Sequence, residues 1–418
     1  REELNLTKLT APKNPKKPTK KEQVTKDNLE EYLNWLLNIK ILDPACGSGA
    51  FLNQALDFLI SEHNSLQRDL VVMGDLTAYY EVEKSILENN LYGVDINEDA
   101  VEIAKLSLWL RTASKGRELT KLANKILCCN SLLEMPFEEN SFDVIIGNPP
   151  YVRQEMIKEF KPALSEKYEV YVGTADLYVY FYELGYKMMK ENGLMGYICS
   201  NKFFKSKYGE KLRDLILKKT IIEEITDFGD KKVFEDAVVT SDINIFRKCV
   251  PTEGSRFKVV DVDLLNSYEM KQSNLNKLGF IFLQKEKLDL KYKLESNGII
   301  LKEWDIIIKS GIKTGFNEAF IIDEDKRNEL IKENPNSAEV LQPYLRGRDV
   351  ERYSYDFQNL WLLNIHNNPP VDVNKYTAIK RHLDGYYNQI KKRSDQGETP
   401  YNLRNCAFMD KFEELMLR

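Results

Sequence analysis

Short apolar runs alternate with helix-like patterns along the first half of the chain. Strand-like runs lie at 39–42, 91–95, 125–129 and 142–147. Between them, apolar residues recur at helical spacing in 50–62 and 98–111, which predicts helices there. Strands that alternate with helices predict a parallel sheet with helices packed on both faces.

The same alternation continues to about Lys248. It predicts helices at 176–191 and 207–218 and strands at 194–200, 221–227 and 237–247. The predicted fold class is therefore α/β, with a doubly wound, mostly parallel sheet.

The composition changes at two places along the chain. Residues 1–30 are rich in Lys and Pro and poor in apolar residues, which predicts a flexible basic arm. Pro251–Ser255 has the composition of a linker. The sequence thus predicts an arm at 1–30, an α/β domain at 31–250, and a less regular α+β domain at 251–418. The last of these could be incomplete in this chain.

Composition places the chain among cytoplasmic globular proteins. Of 418 residues, 43% are hydrophobic and 30% charged, and we expect no membrane association and no signal peptide. Six scattered cysteines are expected to be reduced. The chain starts at Arg1 and not at Met, which indicates a fragment of a longer protein.

Charge and histidine content bear on possible ligands. With three histidines, none near cysteines or carboxylates at ligand spacing, we expect no metal site. The net charge of -5 does not exclude nucleic acid, because a local basic face decides such binding. Basic clusters at Arg346–Arg348, Lys380–Arg381 and Lys391–Arg393 are either phosphate contacts or a solvated mixed-charge surface.

The segment Asp43–Phe51 (sequence DPACGSGAF) joins a predicted strand to a predicted helix. Gly47 and Gly49 would let backbone N–H groups and the helix N-terminus face a ligand. Asp43, at the end of the strand, suits a cationic group such as an ammonium. An ordinary tight turn is the alternative interpretation.

Two polar residues end the next two predicted strands. Asp95 closes 91–95 and is placed to accept hydrogen bonds from both hydroxyls of a ribose, or to cap the following helix. Asn130 follows the next strand and would hold the edge of an adenine, or simply form a turn with Ser131.

Asn148-Pro149-Pro150-Tyr151 ends the strand at 142–147, because two prolines cannot continue a central ladder. The Asn148 side-chain oxygen and the Pro149 carbonyl are acceptors that could take both protons of an aromatic amino group. Its lone pair would then point at a methyl donor. Tyr151 offers a ring on which a base can stack.

These motifs, in this order, resemble the gamma-class, TaqI-like, adenine-specific DNA methyltransferases, including the methyltransferase-plus-specificity part of type IIG restriction-modification enzymes. The resemblance covers most of 31–418 and includes 173–178, 196–204, 306–320 and 346–349. It implies a Rossmann-like methyltransferase sheet, S-adenosylmethionine as cofactor, double-stranded DNA as substrate, and a C-terminal target-recognition domain. We expect a monomer, or fusion to an upstream nuclease.

The resemblance assigns roles to residues at matching positions. It places the target base at Asn148, Pro149, Pro150 and Tyr151, with Phe234 as a second aromatic clamp; a core phenylalanine is the alternative there. It places the cofactor at Asp43, Ala45, Cys46, Gly47, Gly49, Phe51, Asp95, Ile96, Asn130 and Ser131. Together with the basic clusters, it predicts DNA contacts at Lys313, Thr314, Arg346, Arg348, Lys391, Lys392 and Arg393.

The chain departs from the family pattern at two places. Asn130 stands where an acidic residue is common, and no Thr-Pro segment is recognisable within 1–38. Three alternatives stay open: a bifunctional endonuclease and methyltransferase whose nuclease lies outside this chain, a protein-glutamine or RNA methyltransferase, and an inactive DNA-binding specificity module.

Overall fold

The computed structural model describes residues 4, 6, 19–75, 81–112, 122–229, 240–263, 265–304, 311–352 and 354–405. The chain divides into two compact units, Arg1–Asn297 and Gly298–Arg418. Each unit has its own buried core and is described separately below. No helix among the described residues is long and apolar enough to cross a bilayer.

The first unit contains eight helices and nine strands among its described residues. The helices are α1 (Lys20–Asn38), α2 (Ala50–Val72), α3 (Val82–Asn89), α4 (Glu98–Thr112), α5 (Lys161–Lys167), α6 (Tyr178–Met188), α7 (Glu210–Lys219) and α8 (Lys285–Asn297). The strands are β1 (Ile41–Asp43), β2 (Leu91–Asp95), β3 (Ile126–Cys128), β4 (Phe142–Gly147), β5 (Met189–Ser200), β6 (Ile221–Asp227), β7 (Ser241–Arg247), β8 (Arg256–Asp261) and β9 (Asn266–Lys271). Short 3-10 helices lie at Lys158–Phe160, Asn201–Phe204, Lys207–Gly209 and Gln272–Asn274.

The nine strands form one sheet in the order β3-β2-β1-β4-β5-β7-β6-β8-β9. The pairs from β3 to β5 are parallel, whereas β7 runs antiparallel to both β5 and β6. The chain order reverses between β1 and β4, which is where ligands bind in open α/β sheets. The predicted α/β class, with its mostly parallel sheet, is confirmed.

The parallel strands β1, β2 and β4 are mainly apolar because both faces of this part of the sheet are covered. In β1, Ile41 packs in one core cluster and the next residue, Leu42, packs in the other. Successive side chains of a strand point to opposite faces, so a strand covered on both sides needs apolar residues at every position. This is why the strands were recognisable as short continuous apolar runs.

The structure corrects the predicted arm at 1–30. Helix α1 begins at Lys20, where the Thr19 side chain accepts a hydrogen bond from the Glu22 amide and the Glu22 carboxylate accepts one from the Thr19 amide. Leu29 and Leu36 of this helix are buried. The capping box and one apolar stripe are enough to form a helix in an otherwise polar segment.

The predicted domain boundary at 250 is also wrong. Pro251–Ser255 is a tight turn closed by the Ser255 amide and the Thr252 carbonyl, 3.0 Å apart. It leads into β8, which pairs parallel to β6 and extends the same sheet. The compact units divide between Asn297 and Gly298 instead.

The second unit is α+β, as predicted, with a small sheet in the order β10-β14-β11 and a separate two-stranded ribbon of β12 and β13. Its strands are β10 (Ile321–Asp323), β11 (Leu341–Pro343), β12 (Val350–Glu351), β13 (Ser354–Tyr355) and β14 (Leu360–Leu363). Its helices are α9 (Asn317–Phe320), α10 (Glu324–Glu333), α11 (Thr377–Asp384) and α12 (Tyr387–Ile390). Short 3-10 helices lie at Leu301–Glu303, Pro335–Val340, Gly347–Asp349 and Val373–Lys375.

Candidate active site

A cavity of about 220 Å³ lies at the carboxyl ends of β1, β2, β3 and β4. Because these strands are parallel, the segments that follow them meet at one edge of the sheet. The cavity is lined by Pro44, Ala45, Asp95, Ile96, Cys129, Asn130, Ser131, Leu132, Leu133, Asn148, Pro150, Phe160, Leu164, Leu177 and Phe181. Its lining is mainly apolar, with a few polar groups, as is usual for small-molecule sites.

The glycine turn after β1 is held by Asp95 at the end of β2. The Gly47 amide donates to Asp95 Oδ2 at 2.8 Å, and the Asn97 amide donates to Asp95 Oδ1 at 2.9 Å. An ionised carboxylate has about four acceptor positions, so Asp95 keeps capacity for two further donors. Gly49 has φ of 85°, and a Cβ there would lie 3.0 Å from the Cβ of Ala104, so glycine is required at this turn.

Asp43 lies behind the cavity and does not line it. Only 1% of the residue is exposed, and its Oδ1 accepts a hydrogen bond from the Ala45 amide at 3.0 Å. Burial raises the pKa of Asp43 to about 7, since a charged carboxylate is disfavoured away from water. Its expected pairing with a cationic ligand group remains a prediction.

Asn148 is the most unusual polar residue in the cavity wall. Its Oδ1 is buried and has no hydrogen-bond partner among the described residues. A buried acceptor without a partner typically costs about 1–3 kcal/mol, so its presence in a native site requires an explanation. An acceptor aimed at a bound donor provides that explanation.

The Tyr151 ring packs partly buried against the core, and its hydroxyl donates to the Ile198 carbonyl of β5 at 3.5 Å. Burial raises the pKa of Tyr151 to about 12, so the phenol stays neutral. Tyr151 comes directly after Pro150, which lines the 220 Å³ cavity, but Tyr151 itself does not line it.

The structure brings half of the predicted cofactor and base residues to one cavity. Those on its wall are Ala45, Asp95, Ile96, Asn130, Ser131, Asn148 and Pro150. Those that lie elsewhere in the same turns are Asp43, Cys46, Gly47, Gly49, Phe51, Pro149 and Tyr151. Phe234 falls outside the described residues.

Asn130 forms the predicted turn and also lines the cavity, while its contact with a cofactor adenine remains a prediction. It lines the cavity, and its Oδ1 accepts a hydrogen bond from the Leu132 amide at 3.1 Å, which makes the turn.

The thiol of Cys46 is buried, and burial raises its pKa far above the usual value. Cys46 does not line the cavity, and its amide and carbonyl are hydrogen-bonded to Val94 and Gly49, so its expected cofactor contact remains a prediction.

Sequence reasoning missed the apolar wall of the cavity. Leu132 and Leu133 come directly after Asn130, while Phe160 and Leu164 come from the segment that follows Tyr151. The helical spacing of Phe160 and Leu164 was a usable signal, because it placed two apolar residues on one helix face beside the Asn-Pro-Pro-Tyr motif.

Two predicted DNA-contact residues in the second unit are structural instead. Arg393 is 6% exposed, and its guanidinium donates to backbone carbonyls of Thr314, Ile390, Asp395, Pro400 and Asn402. Thr314 is 3% exposed. Neither side chain can reach a phosphate, because the polar groups of both are hydrogen-bonded inside the unit.

The remaining residues predicted to contact DNA differ in whether their side chains are exposed and free of an ion pair. Arg346 pairs with Asp349, with Nη2 and Oδ1 at 2.8 Å, so its charge is already partnered. Exposed side chains remain at Lys313, Arg348, Lys391 and Lys392. Their contact with DNA remains a prediction.

Residues 89–234 match the family described as Eco57I restriction-modification methylase. The chain is 27% identical over 403 residues to the Type II methyltransferase M.BstVI of Geobacillus stearothermophilus, which covers 87% of this chain and 68% of that protein. It is 26% identical over 395 residues to the Type II methyltransferase M.XhoI of Xanthomonas vasicola, covering 87% and 69%.

One relative is much longer than this chain. The Type II restriction enzyme and methyltransferase RM.Eco57I of Escherichia coli is 30% identical over 236 residues, which are 48% of this chain but 24% of that protein. Among solved structures, the Type IIL restriction-modification enzyme MmeI in complex with DNA has a TM-score of 0.66 at 16% identity, covering 92% of this chain and 53% of that one. This similarity shows a shared fold.

The matched segment contains Asp95, Asn130 and Asn148, which the structure gathers around one cavity. The resemblance found in the motifs is thereby confirmed. Over residues 89–234 the chain is similar to the Eco57I restriction-modification methylases, and over most of its length to proteins named Type II methyltransferases.

Proposed function

We propose that this protein transfers a methyl group from S-adenosylmethionine to the N6 amino group of an adenine that has been rotated out of double-stranded DNA. The single observation that carries the proposal is the buried, unpartnered Oδ1 of Asn148 in the cavity wall. The family, whose relatives are named Type II methyltransferases, supports methyl transfer in a restriction-modification system.

The cavity fits a nucleoside cofactor. Asp95 retains acceptor positions for two ribose hydroxyls, while Ile96, Leu132 and Leu133 offer apolar surface to an adenine ring. Ile96 is 66% exposed, so its side chain is accessible to a ligand in the cavity. When bound, S-adenosylmethionine supplies an electrophilic methyl group on a sulfonium.

Asn148 would prepare the target nitrogen for reaction. The lone pair of an aromatic amino group is delocalised into the ring, which makes the nitrogen a poor nucleophile. Two acceptors, Asn148 Oδ1 and the Pro149 carbonyl, would hold its two protons and favour a tetrahedral nitrogen. The two prolines restrict the backbone, so these acceptors need little reorganisation.

The target base must leave the duplex to reach this cavity, which costs a few kcal/mol of lost stacking and pairing. The ring of Tyr151, three residues after Asn148, would replace part of that stacking. The second unit would supply sequence-specific contacts, through exposed residues such as Arg348 and Lys392.

The test is transfer of labelled methyl groups from S-adenosylmethionine to unmethylated bacterial DNA, with N6-methyladenine identified in the product. Asn148→Ala should lower transfer by about 100-fold or more and leave cofactor binding intact. Asn89→Ala, on an exposed helix surface, is the matched control. Cofactor binding without label in DNA, with label in release factor or RNA, would refute the proposal.

A nuclease activity of a longer protein is a second candidate. It is favoured by the relative RM.Eco57I, whose name includes a restriction enzyme and of which this chain matches 24%. Incubation of the full-length gene product with unmethylated DNA and Mg²⁺ tests it: cleavage supports a bifunctional enzyme, and intact DNA with full methylation contradicts it.

A further inference from the structure

A second cavity, of about 580 Å³, lies in the first unit between the segment after β5 and the segment after β9. We call it the β5 cavity. Its lining combines aromatic, apolar, lysine, amide and hydroxyl side chains with one carboxylate, that of Asp227. It is lined by Asn201, Lys202, Phe204, Lys205, Ser206, Tyr208, Asp227, Phe280, Ile281, Phe282 and Leu283.

The β5 cavity opens on the same edge of the sheet as Asn148. Strands β4 and β5 are parallel, with Gly147 paired to Tyr197, so Asn201 follows β5 at the edge where Asn148 follows β4. Strand β6 runs in the same direction as β5, since both are antiparallel to β7, and Asp227 is its last residue. Asn201 and Asp227 thus lie on the same edge of the sheet as Asn148, on the side of β4 that is opposite to β1.

A buried arginine builds the walls of this cavity. Arg213 is 1% exposed, and its Nε donates to the Lys277 carbonyl at 2.7 Å while its Nη2 donates to the Leu278 carbonyl at 3.1 Å. Its Nη1 donates to the Ser206 carbonyl at 2.9 Å. Arg213 therefore ties the two segments that form the cavity, and the cavity is shaped before any ligand binds.

The apolar wall is an aromatic cluster. The Phe282 ring lies edge-to-face with Phe204, with centroids 5.0 Å apart, and the Phe280 amide donates to the Phe204 carbonyl at 2.9 Å. Ile281 at the same wall is 47% exposed. Partly exposed apolar and aromatic surface of this kind suits the flat face of a base or the apolar side of a sugar.

The lysines of the cavity are available for an anion. Lys202 and Lys205 are exposed, and neither ammonium forms a salt bridge with a described residue. On the neighbouring helix α7, by contrast, Lys218 pairs with Asp214 at 2.7 Å and Lys219 pairs with Glu169 at 3.0 Å. Lys202 and Lys205 therefore lack the direct ion pairs that the α7 lysines form, although Asp242 attracts Lys205 at longer range and Asp227 lies in the same lining.

We propose that the β5 cavity binds a nucleotide that neighbours the target on the DNA strand, with its base or sugar against Phe282 and Ile281 and its phosphates on Lys202 and Lys205. The inference rests on the proposed function, because it takes DNA as the substrate. It adds a second nucleotide subsite, further along the same edge of the sheet and away from the cofactor cavity. Phosphate contacts of this kind position a strand without reading its sequence.

The first test is the salt dependence of binding to a short fluorescein-labelled DNA duplex. Each of Lys202→Ala and Lys205→Ala should weaken binding severalfold and reduce the slope of log affinity against log salt by about 1. Lys218→Ala, which removes an exposed but ion-paired lysine, is the control and should leave the slope unchanged. Affinity for S-adenosylmethionine should be unchanged in all three variants.

The second test asks whether a base stacks on the apolar wall. Ile281→Trp places an indole at the exposed rim, and its fluorescence, obtained as the difference from wild type, should be quenched by duplex DNA. Heparin carries negative charge but no bases and should not quench it.

The outcomes separate this inference from the proposed function. If the double variant Lys202→Ala/Lys205→Ala keeps wild-type affinity and salt slope while wild type methylates DNA, the subsite is refuted and the function stands. Equal quenching of Ile281→Trp by heparin and DNA would also refute it. If wild type neither binds nor methylates DNA, both fail together.

Discussion

The carboxylate of Asp43 lies directly against Gly147. A Cβ built at Gly147 would stand 2.7 Å from Asp43 Oδ1, closer than side chains approach one another in proteins. Asp43 opens the glycine turn and Gly147 precedes Asn148, so this contact joins the cofactor-side turn to the base-side turn across paired strands β1 and β4. Two motifs about a hundred residues apart therefore form one rigid structure.

We expect Gly147→Ala to disrupt this contact. The new methyl group would push Asp43 or Asn148 out of place, and a shift of about 1 Å at reacting groups can cost about 100-fold in rate. Overpacking should also lower the free energy of unfolding by about 1–3 kcal/mol. Methyl transfer and urea denaturation measure the two effects. Gly196→Ala, in β5 with no atom within 4 Å of the new Cβ, is the control; equal activity of both variants would contradict the prediction.

Asp95 should be required for cofactor affinity. Asp95→Ala removes the acceptor of the Gly47 and Asn97 amides as well as the proposed ribose contacts, and we expect affinity for S-adenosylmethionine to fall at least about tenfold. Asp95→Asn keeps one side-chain oxygen and should lose less. Titration calorimetry with S-adenosylmethionine measures both variants, and unchanged affinity in Asp95→Ala would show that the ribose binds elsewhere.

Tyr151 should act through its ring and not through its hydroxyl. Tyr151→Phe keeps the ring and loses only the contacts of the hydroxyl, with the Ile198 carbonyl and with Ser241, so methylation should stay near the wild-type rate. Tyr151→Ala loses base stacking worth about 1–3 kcal/mol and should impair base extrusion. Fluorescence of 2-aminopurine at the target position reports extrusion. A Tyr151→Phe variant as impaired as Tyr151→Ala would assign the role to the hydroxyl.

The stability of the protein should depend on pH through Asp43. The unfolded carboxyl ionises near 3.8, whereas burial raises the pKa of the folded one to about 7. Unfolding thus releases a proton between these values, so the free energy of unfolding should fall as pH rises from about 4 to about 7 and then level off. Burial likewise raises the pKa of Asp242 to about 8, which extends the fall to that pH.

Asparagine variants isolate these contributions. Asp43→Asn should match wild type at pH 4 and exceed its stability at pH 8 by about 4 kcal/mol at most. Asp242→Asn should show the same sign up to about pH 8. Denaturation by urea across this pH range measures both. A pH dependence that survives in the double variant would mean that other groups cause it.

Arg393 and Lys392 are neighbours in one basic cluster, but substitutions at the two positions should have different effects on the stability of the second unit. Arg393→Met leaves several backbone carbonyls without a donor and should destabilise the second unit by about 3 kcal/mol or more. Lys392→Ala is an exposed change and should stay within about 0.5 kcal/mol. Thermal unfolding of the full chain distinguishes them, and equal stability would contradict the buried role of Arg393.

The sequence alone predicted strands β1 to β7 and the polar residues at the ends of β1 to β4, but it missed β8 and β9. Apolar runs, a glycine turn and two consecutive prolines act locally, so β4 ends at Gly147 and the glycine turn follows β1 as expected. The family resemblance followed from the same local motifs. Asp95, Asn130 and Asn148 met at one edge because parallel strands bring their carboxyl ends together.

Only the tertiary structure decided which charged groups are buried and what each one contacts. Lys391, Lys392 and Arg393 form one basic cluster in sequence, yet Arg393 turns inward to carbonyls that include Thr314, which lies 79 residues away. Asp43 stands at a strand end like Asp95 but lies against Gly147, 104 residues later, and burial raises the pKa of its carboxyl to about 7. Burial and hydrogen-bond partners depend on segments distant in sequence, and a local pattern carries no information about them.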